Sequence, residues 1–166
     1  LAGLFGTPPR PGISGWSFLD RLYRVKGIKR HFDGVAIHPY SPNLRGITYQ
    51  LDRFRRVMRE RDDAKTGIWL TELGWGSAAA GNAPGGAGRM LKGTSGQAQM
   101  LNKSFQLVLK ERKRERIRSL IWFAWEDLPG TFGGQCFFCE SAGLVDFSGS
   151  PKPSWAAYTR FTGGAR

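Results

Sequence analysis

Cysteine, histidine and acidic residues are all scarce in this sequence, and each shortage narrows what the protein can be. Its 166 residues hold two cysteines, Cys136 and Cys139, in the order C-F-F-C. A structural zinc site takes four ligands, and only His31 and His38 could complete one, so no metal is expected. A redox C-x-x-C ordinarily opens a helix after a strand, whereas this one sits in the Gly-rich stretch GTFGGQCFFCES. A loop-closing disulfide is the preferred reading, with free thiols second and metal or redox chemistry last. Such a bridge would imply an oxidising compartment, which tilts an otherwise open location toward secretion or the cell envelope.

Also missing is any apolar run near the roughly 20 residues of a membrane span, so no membrane partner is expected. The first residues, LAGLFG, carry no Met, no charged n-region and no small-residue cleavage site. The expectation is a chain that begins inside a larger protein. No Gly-rich phosphate loop follows the first strand signal, which removes support for a nucleotide, and no cofactor is expected. Acids number 13 against 25 Lys and Arg, a net charge of +12. That balance raises the question of nucleic acid. The excess lies in two helical segments, Arg53–Arg61 and Lys110–Arg118, without aromatics interleaved for base stacking. Both read as solvated helix faces, and no nucleic-acid partner is expected.

What is present is the composition of a globular domain, 40% hydrophobic and 23% charged. Aromatics reach 13%, with six Trp, enough for a packed core and sugar-stacking surfaces. Along the chain, strand and helix signals alternate. Leu1–Phe5 reads as the end of a strand, followed by the loop GTPPRPG. A helix with a Ser14 or Ser17 cap presents Phe18, Leu19, Leu22 and Val25 and ends at Gly27. FDGVAIHPY is the next strand. A second helix over Thr48–Arg61 carries Leu51, Phe54, Val57 and Met58 inside, with Arg53, Arg55, Arg56 and Arg59 outside. The strand IWLTELGW and a Gly/Ala-rich loop, Gly76–Gly93, come next; loops of that length are usually functional or mobile. A third helix over Ser95–Arg116 turns Met100, Leu101, Phe105, Val108 and Leu109 inward. SLIWFAWED is the last strong strand, AGLVDFSGSPKP a hairpin-like element, and Ser154–Phe161 a closing helix anchored by Trp155, Tyr158 and Phe161. Near-continuous apolar strands alternating with helices predict a parallel sheet covered by helices. Four such units are half of a (β/α)8 TIM barrel of about 250 residues; an open doubly wound sheet is the alternative.

In a barrel of this kind the chemistry sits at the C-terminal ends of the strands. Three strands here end in suitable groups: His38-Pro39-Tyr40, Glu72-Leu73-Gly74-Trp75 and Trp125-Glu126-Asp127. Strand alternation gives Glu72, Leu70 and Ile68 one face, with Thr71 and Trp69 toward the helices. Ala36, His38 and Tyr40 share a face, as do Ile121, Phe123 and Trp125. Each residue also has a plain structural reading. Glu72 could be a helix cap or surface charge, His38 a core histidine, Trp125 barrel filling, and Glu126 and Asp127 loop charges.

In series, DGVAIHPYSP, IWLTELGWGS, IWFAWEDLPG and AGLVDFSGSPKPSWAAY closely resemble the last strands and closing segment of clan A retaining glycoside hydrolases, nearest family 39 or family 5. The resemblance covers essentially the whole chain, residues 1–166, as the C-terminal half of the catalytic barrel, strands five to eight. It implies Glu72 as the nucleophile. It places His38 and Tyr40 on the substrate-lining strand and Trp125 under the cleaved sugar, with Trp75 and Asp127 as further substrate-binding candidates. In that clan the acid/base Glu follows an Asn, and no Asn-Glu pair occurs here. The implied function is hydrolysis of β-linked glycosides with retention, completed by a missing N-terminal half-barrel, with self-association as the other expected partnership. The isolated chain is expected to be close to inactive. A non-catalytic carbohydrate-binding remnant and a basic nucleic-acid binder are the alternatives.

Overall fold

A computed structural model describes residues 3–6, 8, 11–79 and 85–163. They form two compact units, one from residues 1–73 and 108–121, the other from 74–107 and 122–166.

The first unit holds a four-stranded sheet in the order β1 (Leu4–Phe5), β2 (Gly34–His38), β3 (Gly67–Leu73) and β4 (Ile117–Trp122). The first three strands pair in parallel, with Ala36 opposite Trp69 and Ile37 opposite Leu70. Register partners on neighbouring strands point to the same side. Val35, Ile37, Ile68 and Leu70 therefore share one face, and all are buried. Fully burying each large aliphatic side chain contributes about 1.5–3 kcal/mol.

Helix α1 (Gly15–Leu22) covers that face near β1. Its Ser14 cap accepts from Ser17 N at 3.3 Å, and Gly15 lies so close to Leu4, Phe5 and Phe54 that a side chain there would collide. The helix stops at Leu22 rather than running to Gly27, and a short 3-10 turn, Ile28–His31, follows. Phe18 and Val25 fall off its buried stripe and are exposed. Helix α2 (Leu44–Glu60) starts a turn before the expected Thr48, because Asn43 caps it, accepting from Gly46 N at 3.1 Å. Its inner stripe is Ile47, Leu51, Phe54 and Met58.

Arg55, expected on the outer face of α2, is instead 1% exposed. It lies four residues after Leu51 and next to Phe54, inside the stripe. Its Nη1 donates to the carbonyls of Ala64 and Thr66, its Nη2 to that of Glu115, and its Nε lies 3.8 Å from the buried Glu115 carboxylate. A charge can occupy a core position only with such partners.

The second unit is organised by buried polar groups. Gln97 Nε2 donates to Trp75 O at 2.9 Å, Ser141 O at 3.2 Å and Gly143 O at 3.3 Å. Trp122 packs beside Trp75 and donates to Ala142 O at 3.0 Å. The loop expected over Gly76–Gly93 is clamped at its ends by Gly76 N to Met90 O and Lys92 N to Gly76 O; residues 80–84 lie outside the described ones. Helix α3 (Gly93–Glu111) ends before Arg116, and Leu109, expected inward, is 56% exposed because the buried stripe runs through Leu101, Ser104, Phe105 and Val108. A turn capped by Asp146 and a bridge from Val145 to Pro151 make the expected hairpin. Helix α4 (Pro153–Thr162) closes the chain, its Tyr158 and Phe161 against Phe105.

Candidate active site

The register of β2 with β3 decides which side chains meet. Ala36 opposite Trp69 carries on to His38 opposite Thr71, so Trp69 and Thr71 share the face of Ala36 and His38. The Trp69 ring accordingly lies over Gly34. This reverses the expected assignment, in which Ile68 and Leu70 lined the interior and Trp69 and Thr71 met the helices. The β2–β3 ladder ends at Ile37 and Leu70. In the remainder of β3, both Thr71 and Glu72 reach His38.

The result is a small polar cluster in the first unit. Tyr40 Oη donates to Glu72 Oε2 at 3.0 Å. His38 Nε2 lies 3.0 Å from Thr71 Oγ1. His38 Nδ1 is 3.3 Å from Glu72 Oε2, close enough for charge attraction although no hydrogen bond is aligned there. Facing a carboxylate, Nδ1 is better protonated than bare, which leaves Nε2 to accept from the Thr71 hydroxyl. Phe5 meets the imidazole edge at 5.0 Å and stacks on Tyr40 at 6.1 Å. Gln50 Nε2 donates to Tyr40 O at 3.0 Å and fixes the turn after β2.

The electrostatics follow from burial. The Tyr40 phenol is pushed far above its ordinary range, by desolvation first, then by the Glu72 charge and hydrogen bond, so it remains a neutral donor. Burial also holds His38 below its ordinary 6.5, outweighing the opposite pull of Glu72. The Glu72 side chain keeps 35% of its surface. Its Oε2 is engaged on two sides, and among the described residues no donor is recorded on Oε1. A carboxylate with one oxygen held and the other reachable from solvent can act as a nucleophile.

Trp75, Trp125 and Asp127 belong to the second unit. Trp75 is fully buried, so its ring is a core element and not a surface for ligand. Gly74 precedes it because a side chain there would strike the Phe123 carbonyl. Trp125 is 61% exposed and stands edge-on to Trp155, ring centres 5.1 Å apart. Asp127 Oδ1 accepts from Lys152 Nζ at 2.6 Å and Gly143 N at 2.8 Å, a structural ion pair. Lys152 also donates to Ser77 Oγ and Ser141 O. Burial lowers the ammonium, opposed by Asp127. Cys136 and Cys139 form a disulfide. Sequence reasoning overlooked Phe5, Gln50 and the inward Thr71. Only strand register could have found Thr71.

No family profile matches the sequence, and no curated protein resembles it. Solved structures do. A GH5_18 protein from Bifidobacterium longum subsp. longum aligns with a TM-score of 0.54 at 19% identity, over 79% of this chain and 30% of its own. A variant of that protein in complex with Manβ1-4GlcNAc aligns with a TM-score of 0.54 at 18% identity. A GH2 β-galacturonidase from Eisenbergiella tayi, bound to glycerol, aligns with a TM-score of 0.57 at 16% identity, over 81% of this chain and 24% of its own. Likeness at these identities establishes the fold alone, the parallel α/β arrangement of part of a TIM barrel. It carries no support for family 39. The chain spans less than a third of each of these neighbours.

Proposed function

We propose that residues 1–166 are the nucleophile-bearing part of a retaining β-glycoside hydrolase, with family 5 the nearer of the two families its motifs resemble. One observation carries this reading: Glu72, at the C-terminal end of a parallel strand, has Oε2 held by Tyr40 and His38 while Oε1 is left for attack. In the reaction, Glu72 attacks the anomeric carbon as the bond to the leaving oxygen breaks. A second carboxylic acid gives that oxygen its proton. The same group, now a base, takes a proton from water, which displaces Glu72 and restores both residues. The two carboxyl groups of such an enzyme stand about 5–5.5 Å apart. The second one is assigned to sequence outside these residues, since the motif that would carry it is absent here. Exposed Trp125 offers an apolar face for a pyranose. The disaccharide held by one neighbour is itself β-linked, which favours a carbohydrate substrate.

The test uses the full-length protein with an aryl β-glycoside. Hydrolysis should give the β-anomer first by NMR, and a slow-leaving fluorosugar should trap a covalent adduct on the peptide containing Glu72. Glu72→Gln should cut kcat by about 10³-fold or more, the scale at which covalent enzymes lose a nucleophile, and abolish the adduct. Initial release of the inverted anomer, or a Glu72→Gln protein with full activity, would refute the assignment.

A further inference from the structure

Where β3 and β4 begin, at the far end of β3 from Glu72, four cationic side chains line one groove. Ile68 N donates to Arg116 O at 3.0 Å, which sets the starts of these two strands side by side. The groove encloses about 410 Å³ and is lined by Arg112, Lys113, Arg116, Ile117 and Arg118. The four basic residues are exposed. Neighbouring Arg114 is neutralised by Glu111, Glu115 and Asp52, but among the described residues no ion pair engages the other four. Cations gathered without counter-charges repel one another, and an anion in the groove relieves that repulsion.

Arg116 lies in the turn that follows α3, where Ile117 N donates back to Arg112 O at 3.0 Å. Its backbone sits at φ +50°, a left-handed conformation that glycine or asparagine adopts more readily. Its guanidinium makes no ion pair among the described residues.

We propose that this groove is an accessory binding site for an acidic polysaccharide. Its carboxylates match the planar guanidinium forks of Arg112, Arg116 and Arg118, which donate to both carboxylate oxygens at once. No aromatic ring lines the groove, and single-stranded nucleic acid is ordinarily held on stacked aromatics. The choice of a sugar polymer rests on the hydrolytic reading of Glu72; the preference of the groove for anions does not. The site lies at the opposite end of β3 from Glu72, so it retains polymer and takes no part in bond cleavage.

The experiment measures binding of the full chain to polygalacturonate, neutral mannan and duplex DNA. Polygalacturonate should bind at low salt and be released by about 0.5 M NaCl, where charges are screened within a few ångströms, while mannan is not retained by the groove. Arg112→Gln combined with Arg118→Gln should weaken polygalacturonate binding by about tenfold or more. Arg116→Gly should weaken binding while leaving the protein folded, because glycine adopts the left-handed turn readily. Unchanged binding in both variants overturns the site. DNA binding as tight as polygalacturonate overturns the choice of ligand. Neither outcome bears on Glu72, which adduct trapping tests separately.

Discussion

At the residue scale the polar cluster turns on a single carboxylate oxygen. Glu72 Oε2 is shared by a phenol donor and an imidazole edge, and the phenol stays protonated because burial and the adjacent charge both resist its ionisation. His38 makes this cluster sensitive to acid. Its folded value lies below 6.5, so between that value and 6.5 the unfolded chain binds more protons than the folded one. Stability therefore rises with pH across that window, is fully present above 6.5, and is lost as pH falls toward the folded value. Urea midpoints measured from about pH 7 to pH 5 should fall with acid, and His38→Gln should flatten that slope. An unchanged slope in the variant would mean other groups carry it. The residues of this cluster were legible as strand-end chemistry, since H-P-Y and T-E-L-G-W place polar groups after buried runs. Their faces were not. Alternation counted back from Glu72 gave Leu70 and Ile68 the wrong side, because Thr71 and Glu72 both reach His38 and the alternation breaks between them.

Among the elements, α2 shows how a sequence pattern can mislead. Four arginines in a helix read as one solvated face, yet Arg55 is in the core with Glu115, a residue 60 positions away. Nothing local announces that pairing, since the partner lies beyond α3. Burial raises the Glu115 carboxyl, opposed by Arg114 first and then by Arg55, and lowers the Arg55 guanidinium, opposed by Glu115. Removing Glu115 leaves the Arg55 charge buried without its carboxylate, so Glu115→Leu alone should cost about 3–5 kcal/mol by denaturant unfolding, and Arg55→Met alone should cost less, because Arg114 still pairs with Glu115 at 3.0 Å. Arg55→Met with Glu115→Leu should recover much of that loss, because paired charges and well-packed apolar groups are often of similar worth in a core. Equal losses in the single and double variants would mean that the carbonyl contacts of Arg55, and not its charge, hold the region. Helix starts were misplaced for a simpler reason. The S-P-N sequence was read as a loop, and Asn43 in it is itself the cap.

For the whole molecule, the α/β class was legible from four alternating units, and the neighbours bear it out at the level of fold. The sheet of the first unit ends on one side at β1, which is two residues long, and on the other at β4. Unpaired strand edges invite further pairing, so the isolated chain should associate in a concentration-dependent manner by light scattering. A stable monomer at high concentration would show that these edges are adequately protected. Reduction of the Cys136–Cys139 bridge should leave that association unchanged, since the disulfide closes only a local turn of the second unit.

The polypeptide passes between its two compact units three times: after Leu73, within α3 after Leu107, and within β4 after Ile121. Neither unit is thus an uninterrupted stretch of chain, and no single pair of gene boundaries can excise one of them whole. A lone protease cut anywhere between Gly74 and Leu107 would leave each fragment carrying only part of the first unit, so nicked protein should hold together through folding contacts and separate only when denatured.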